Sequence, residues 1–551
     1  MHPPVTLTRR EIAGVAALAV IISLALHWPL PLHLGTRIAQ DLGDPLVQAW
    51  QVAWDGHALV HQPTSLFQSN TFWPLHDSLA FSDALVGYAP AGLIGGDGVH
   101  AAVARYDVLF LFAFALAFAG AWLLARELGI GRYGAAVAGA AFAYTPWRLE
   151  QEGHMHIISS GGIPLMAFLL LRGYRSSSAP LIVAGWLVAA WQLSLGFSLG
   201  LPLVYLIGVA ALATAIAWWR KGKPRPPRRV ITATVIGMLS FAIVATLLVR
   251  PYLRVLDDHP EAKRTKAQVA AFSGPVKEFA AAPESSRVWG AAAKPVRDTL
   301  NVVPEQTLFP GLAILVLALV GLGAATLPRR VRRALGTGAL GFAILSLGFK
   351  LGSGSFLYPY RWLYETLPGW QGIRVPGRLH TFTTLCLALL AAAGAQAVAL
   401  RAKDRWGTRA ATAAAAVLTL AILAEGWGTD QNPRVPLAPK GQTAAPAPAL
   451  HLPTGAFDNR HYVLWSTDGF PKLVNGRASF IPRQFEAVMR AGEHFPDKPS
   501  VAMFRRIGIR SVVVHTATKR AAQQADVSAA TLRGLHLERE RRSGVVIFLL
   551  R

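Results

Sequence analysis

Carboxylates gather where an apolar N-terminal run gives way to polar sequence. The stretch TRIAQDLGDPLVQAWQVAWDGHALVHQP (36–63) sets Asp41 and Asp44 three residues apart, and Asp55, Asp77 and Asp83 follow in the same loop. A carboxylate beside a dry, helix-lined cavity becomes more basic through desolvation, which suits it to take a proton from an attacking hydroxyl. A plainer role competes for Asp44. Asp followed by Pro45 is the pattern of a helix start, with Asp as N-cap and Pro as the first helical residue. Capping leaves Asp41 unexplained, because one helix needs one cap. Further along, GIRVPGR holds Arg374 and Arg378 on either side of a Pro-Gly turn, and YPYRWLYETLPGW adds Arg361. Guanidinium forks suit a phosphate ester, although arginines at a membrane surface also bind lipid headgroups. The connection RLEQEGHMH (148–156) brings Glu150, Glu152, His154 and His156 close together in sequence. Carboxylate and imidazole could ligate manganese or magnesium, but the spacing matches no standard metal motif, so a divalent cation stays open. Solvated interfacial polar groups are the plainer reading. His154, Glu152, Asp83 and Arg361 are carried forward as candidates for substrate contact.

These residues need elements to position them, and the composition says which kind. The chain has 551 residues, 53% hydrophobic and 15% charged, with mean hydropathy +0.37, which is the profile of a polytopic membrane protein. Its net charge of +24 sits in short basic segments such as WWRKGKPRPPRR (218–229) and PRRVRR (328–333), with no nucleic-acid-binding motif beside them. The single Cys386 lies in an apolar run and excludes a disulfide framework. Apolar runs near the roughly 20 residues a bilayer requires fall at 11–30, 106–125, 133–149, 157–172, 179–195, 199–219, 230–249, 308–327, 335–350, 380–400 and 408–425. Residues 11–30 read as a retained first span, with no small-residue cleavage site after them. With the N-terminus inside, the segments 1–10, 126–132, 172–178, 220–229, 328–334 and 401–409 carry 20 basic residues, and the short outer connections 147–156 and 196–198 carry only Arg148. The positive-inside rule then puts the N-terminus in the cytoplasm and the C-terminus outside.

Four outer regions are large: 31–105, 250–307, 351–379 and 426–551. In the first, LVQAWQVAW has apolar residues at helical spacing with Trp50 and Trp54 on one face, as in a helix lying in the membrane interface. Residues 65–83 are expected to form a polar, aromatic-lined turn, and the apolar but Pro- and Gly-broken 85–96, too short to span, to be re-entrant or to lie along the interface. The 250–307 loop, with DDHPEAKRTK and Trp289, could cover a site or simply be a surface loop. The expected domains are a transmembrane domain over 1–430, a Pro/Ala-rich linker over 431–450, and a small α/β domain over 451–551. In the last, HYVLW (461–465), IRSVVVH (509–515) and GVVIFLL (544–550) read as strands, and NGRASFIP places Asn475 and Arg477 at a turn.

A first span, an acidic outer loop with a membrane-parallel helix, many further spans and an outer α/β domain together resemble the GT-C superfamily. These are integral-membrane glycosyltransferases that use lipid-phosphate-linked sugars. GDPLVQAWQVAW (43–54), AFAYTPWRLEQEGHMH (141–156), GIRVPGRLHTF (372–382), LVNGRASFIP (473–482) and IGIRSVVVH (507–515) resemble a bacterial branch of that superfamily over nearly the whole chain. The resemblance implies a multi-pass α-helical GT-C-like fold with about 11 transmembrane helices in a bacterial plasma membrane. It implies transfer of a sugar, with inversion, from a polyprenyl-phosphate donor to an extracytoplasmic lipid, glycan or protein acceptor. By position the family's catalytic acid falls on Asp44, with Asp41 second. Many relatives carry an adjacent Asp-Glu pair there, and this chain carries Asp41-Leu-Gly-Asp44, which leaves the choice open. Two other classes compete: a transporter or lipid flippase, and a non-catalytic GT-C-like protein of envelope assembly. A transporter is expected to carry ionisable residues at the bilayer midplane, whereas these spans are nearly free of them.

Overall fold

A computed structural model describes residues 5–220, 222, 226–350, 359–429 and 431–550. Residues 1–4 and 221, 223–225 of the expected cytoplasmic segments, and 351–358 of the third outer region, lie outside the described residues. Helices of ten or more residues begin with α1 (Arg9–Leu26), α2 (Asp44–His61), α3 (Val99–Glu127), α4 (Arg132–Ala143), α5 (Gly162–Ser176), α6 (Ala179–Ser194), α7 (Phe197–Arg220) and α8 (Arg228–Asp258). They continue with α9 (Leu312–Gly323), α10 (Arg329–Ser346), α11 (His380–Trp406), α12 (Thr408–Glu425), α13 (Ala456–Trp465), α14 (Arg483–His494) and α15 (Lys498–Ile507). Strands β1 (Ala449–Leu452), β2 (Ser511–His515), β3 (Leu537–Arg542) and β4 (Val545–Leu550) form one sheet.

The chain divides into two compact units. One comprises Met1–Pro31, Leu109–Leu248 and Lys263–Asp430, the other Leu32–Val108, Val249–Ala262 and Gln431–Arg551. A helix lies on each of the eleven apolar runs expected from sequence. By length and composition, six helical stretches among the described residues can cross a bilayer: Val99–Glu127, Met155–Ser176, Phe197–Arg220, Arg228–Asp258, Pro376–Trp406 and Thr408–Glu425. In the first unit α11 packs against α4, α9, α10 and α12. Small residues make this possible. A Cβ on Gly321 of α9 would stand 1.9 Å from the Leu390 carbonyl oxygen, and one on Gly394 of α11 would stand 2.1 Å from that of Leu317. Backbones this close bring van der Waals packing to helices that gain little from apolar burial in lipid.

The second unit is built on the sheet, ordered β1-β2-β4-β3, with β1 parallel to β2 and the other pairs antiparallel. The central SVVVH of β2 is wholly buried, whereas LERERR of β3 lies at the edge, where alternating charge discourages further pairing. Sequence reading finds β2 and β4 but misses β1 and β3. HYVLW is not a strand. It lies in α13, where Asn459, Tyr462 and Val463 recur at helical spacing and are buried, while ALHL takes the strand position beside β2.

The first outer loop belongs to this same unit. Phe72 and Phe81 join Leu450, Phe504, Val512 and Phe548 in its core. The backbone is stitched as well: Phe72 N donates to Asn475 O, Trp73 N to Leu473 O, and Leu473 N to Asn70 O. The Pro/Ala-rich 431–450 segment is tied in by a bridge between Arg37 and Arg434 and by the Trp465 indole donating to Pro436 O. One expectation for the loop changes. Residues 65–83 form a turn region with short 3-10 segments, as expected, but α2 is packed into protein. The indoles of Trp50 and Trp54 are buried and donate to Asn70 Oδ1 and Leu66 O, so they face protein partners instead of lipid headgroups. Leu93 and Ile94, in the broken apolar segment, are exposed, as a membrane-contacting stretch would be.

Candidate functional site

In the second unit the carboxylates sort by what surrounds them. The cap of α2 is Gly43, not Asp44, so Asp44 takes the first helical position and Pro45 the second. Asp41 supplies the turn before the helix: its Oδ1 accepts the Gly43 N–H at 2.7 Å, and the residue is exposed. That bond gives Asp41 the local role the sequence left without an explanation. Asp44 points instead to α13, where Arg460 Nη2 donates to its Oδ1 at 3.2 Å; its side chain is 46% exposed and that of Arg460 17%. Arg477 shares this neighbourhood. Burial, followed by the charge of Arg460, pulls its guanidinium below the ordinary value, and the charge of Asp44 opposes them.

Asp55 is the opposite case. It is fully buried, neither oxygen has a hydrogen-bond partner, and burial holds its pKa well above the ordinary carboxylate value. It lies 11 residues beyond Asp44 on α2, about 16 Å along the axis, so the two cannot act on one atom. Asp77 is engaged by Arg254 at 2.6 and 2.8 Å. Asp83 accepts the Gln51 side-chain amide on its backbone carbonyl.

In the first unit a second cluster forms around Glu305. Arg378 gives Glu305 two hydrogen bonds, at 2.6 and 3.4 Å, and lies 3.0 Å from His156 Nε2 through Nη1. Gln151 donates to the same carboxylate at 3.4 Å, and His154 Nε2 stands 3.8 Å from it. Burial alone would raise Glu305. The charges of Arg378 and His154, with hydrogen bonds from Arg378 and Gln151, outweigh that and hold it below the ordinary value. Arg374 lies over the Phe272 ring at 4.7 Å. Glu152 is buried, with His27 Nε2 at 3.8 Å, and fully buried Arg148 donates to Ser160 Oγ and Ile158 O. Arg361 joins Glu365 and Lys266 in an exposed ion-pair group.

The structure therefore brings His154 and Arg378 together through Glu305, and places Arg361 in a separate surface group. Glu305 was not singled out from sequence, since a lone glutamate in VVPEQTLF carries no pattern. Arg460 was missed because its segment read as a strand and its partner is 416 residues away. The i, i+3, i+4 spacing of Asn459, Tyr462 and Val463 was the available signal. Among the described residues no group of three or more His, Cys, Asp or Glu side chains is arranged to hold a metal ion.

No protein-family model and no curated protein sequence matches the chain. Among solved structures, the chain is similar to the oligosaccharyltransferase of Archaeoglobus fulgidus in its apo form, with 13% identity and a TM-score of 0.48, covering 94% of this chain and 71% of that one. The same enzyme tethered to an acceptor peptide containing an NVT sequon matches at 14% identity and 0.43, over 99% and 74%. ArnT from Cupriavidus metallidurans bound to undecaprenyl phosphate matches at 11% identity and 0.43, over 99% of both chains.

Proposed function

We propose that this chain is an integral-membrane glycosyltransferase of GT-C type. It moves a sugar from a polyprenyl-phosphate donor to an acceptor hydroxyl on the outer face of the bacterial plasma membrane, with inversion. The observation that carries the reading is the state of Asp44: a carboxylate fixed in the first turn of α2, oriented by Arg460 and still half-open to an incoming group. In the proposed reaction Asp44 takes the acceptor proton as the oxygen bonds to the anomeric carbon. The bond from that carbon to the phosphate oxygen breaks, and the lipid phosphate leaves with its electron pair. Asp41 is the alternative base, though its carboxylate already holds the Gly43 N–H. Asp55 is sealed from any acceptor.

Arg374, His154 and Glu152 lie on the first unit and are assigned no step in this reaction. Arg378 is proposed to act chiefly through Glu305, because its guanidinium is committed there. Asp83 and Arg361 are assigned no step. The test uses purified full-length protein with a panel of synthetic polyprenyl-phosphate sugars. Sugar transfer supports the proposal. Absence of transfer across the panel, with lipid movement in reconstituted vesicles, would overturn it in favour of a flippase.

A further inference from the structure

Two stretches of the second unit, 70–82 and 471–480, run side by side although they are remote in sequence. Beyond the three backbone bonds already described, Phe480 N donates to Phe81 O at 2.9 Å and Ser479 N to Ser82 Oγ at 2.7 Å. A Cβ on Gly476 would stand 2.3 Å from the Phe72 ring, so the seam closes only around a glycine. Two buried asparagines lie on this seam, and both polar side-chain atoms of each are bonded. Asn70 Oδ1 accepts the Trp50 indole of α2 at 3.0 Å, and its Nδ2 donates to Pro471 O at 3.0 Å. Asn475 Oδ1 accepts His451 N of β1 at 2.6 Å, and its Nδ2 donates to His451 O at 2.8 Å and to Asn459 Oδ1 at 2.9 Å. Asn459 is itself buried, and its Nδ2 donates to Thr454 O at 3.1 Å.

Asn459 immediately precedes Arg460 on α13, and Arg460 reaches back to Asp44 on α2. The bonds therefore form a closed circuit. It leaves α2 at Trp50, passes through Asn70 to the seam, and continues through Asn475 and Asn459 to Arg460. It returns to α2 at Asp44, six residues before Trp50 and about 9 Å along the axis. The closing link is the weakest. Asp44 and Arg460 share one bond of 3.2 Å, and with Asp44 46% exposed such a pair does little to fix its own geometry. The direction of Arg460 is set by the helix beneath it. An asparagine amide offers donor and acceptor together, and a fully satisfied buried network specifies one arrangement of the elements it joins. The apolar core of this unit packs the same elements without fixing the rotation of α13 about its axis.

We propose that Asn475 is a positioning residue. Acting through Asn459, it holds α13 in the orientation that brings Arg460 to Asp44, while Asn70 ties α2 to the same seam. This deepens the glycosyltransferase reading and rests on it for the reaction that is served. Asn475 touches no reacting atom. Its loss frees α13 to turn, and Arg460 then no longer orients the carboxylate that takes the acceptor proton.

The test has one arm that reads geometry and one that reads transfer, both on full-length protein. In the first, the Arg460→Lys variant is treated with a water-soluble carbodiimide, which joins a lysine to a carboxylate in contact with it. The link between positions 44 and 460 is measured by peptide mass spectrometry. Adding Asn475→Ala should lower its yield several-fold at equal folded fraction. Asn459→Ala, which spares the bonds of Asn475 to His451, should do the same if Asn475→Ala does not fold. Gln524→Ala removes two bonds elsewhere in the unit, to Gly492 O and Phe495 O, and should leave the yield unchanged. In the second arm Asn475→Ala should lower kcat by up to about a hundredfold, as misplacement of a reacting group by about 1 Å does, with KM nearly unchanged. Arg460→Gln should do likewise, and the double variant should be no slower than the slower single one. An unchanged yield in the asparagine variants, an equal fall in Gln524→Ala, or effects of Asn475 and Arg460 that multiply would overturn the positioning role. A yield that depends on Asn475, without transfer from any donor, keeps the positioning of Arg460 and fails the transferase reading. Transfer that is indifferent to Asn475 does the reverse.

Discussion

The two units each hold an arginine against a carboxylate, and they hold it differently. In the first, Arg378 and Glu305 are both nearly buried, doubly hydrogen-bonded and flanked by Gln151 and two histidines. In the second, Arg460 meets Asp44 through one bond of 3.2 Å, and Asp44 is 46% exposed. The first arrangement is closed: the guanidinium and the carboxylate are matched to each other and largely shielded from water. The second is open, with its carboxylate part exposed to solvent. Buried pairs of the first kind are costly to break, and pairs of the second kind are cheap to break but costly to function.

Removing one partner of the closed pair should give the largest stability effect. Glu305→Ala or Arg378→Ala is expected to cost about 3–5 kcal/mol by stranding a buried charge, read as a fall in Tm or loss of folded protein. The double variant Glu305→Leu/Arg378→Met should recover most of that. If either single variant is as stable as wild type, the pair is not the closed structural device described.

Each unit also carries its own pH signature. In the first, burial pushes Glu278 up to about 9 from the ordinary 4.5, and its Oε1 has no hydrogen-bond partner. The unfolded chain gives up this proton first, so stability falls as pH rises from 4.5 toward 9. Glu278→Gln should therefore raise Tm at pH 8, by the equivalent of up to a few kcal/mol, and do nothing near pH 4. In the second unit, His451 Nδ1 lies 2.9 Å from His515 Nε2. Burial, with its histidine neighbour, holds His451 well below the ordinary 6.5, and burial followed by the charge of His461 brings His515 to about 4. Here the unfolded chain gains protons first as pH falls, so stability is full above 6.5 and declines from 6.5 toward 4. A smaller loss on acidification is expected for His515→Gln, read by protease protection of the C-terminal segment between pH 7 and 4.5. Identical acid sensitivity in that variant would remove the histidine pair from the explanation. The smallest effect belongs to Arg361→Ala, expected to leave Tm and transfer within error because its ion-pair group is exposed and screened.

Much of the architecture was legible in the sequence because burial in lipid leaves a length and a composition. A helix therefore falls on each expected apolar run, and SVVVH and GVVIFLL are strands, since a buried strand reads as a β-branched run. The edge strand LERERR was hidden by charge, and ALHL was too short to stand out. The role of α2 was misread because tryptophans four apart suit an interfacial helix and a packed one equally well, and only the partners Asn70 and Leu66 distinguish them. Asp41 and Asp44 could be selected by type and position. Their division of labour could not, since it depends on a cap shifted by one residue. Arg460 and Glu305 show the harder limit. Pairs such as Asp44–Arg460 join positions hundreds of residues apart, and a single sequence carries no periodicity that links them.

The central claim is that Asp44, and not Asp41, takes the acceptor proton. Transfer of labelled sugar from the best donor of the panel should be measured for wild type, Asp44→Asn and Asp41→Asn at matched folded concentration. Asp44→Asn is expected to lose about 10²–10⁴-fold in rate, the contribution of a positioned general base, with Tm unchanged, while Asp41→Asn keeps most of the activity. Full transfer by Asp44→Asn, or a loss in Asp41→Asn that exceeds it, would contradict the assignment.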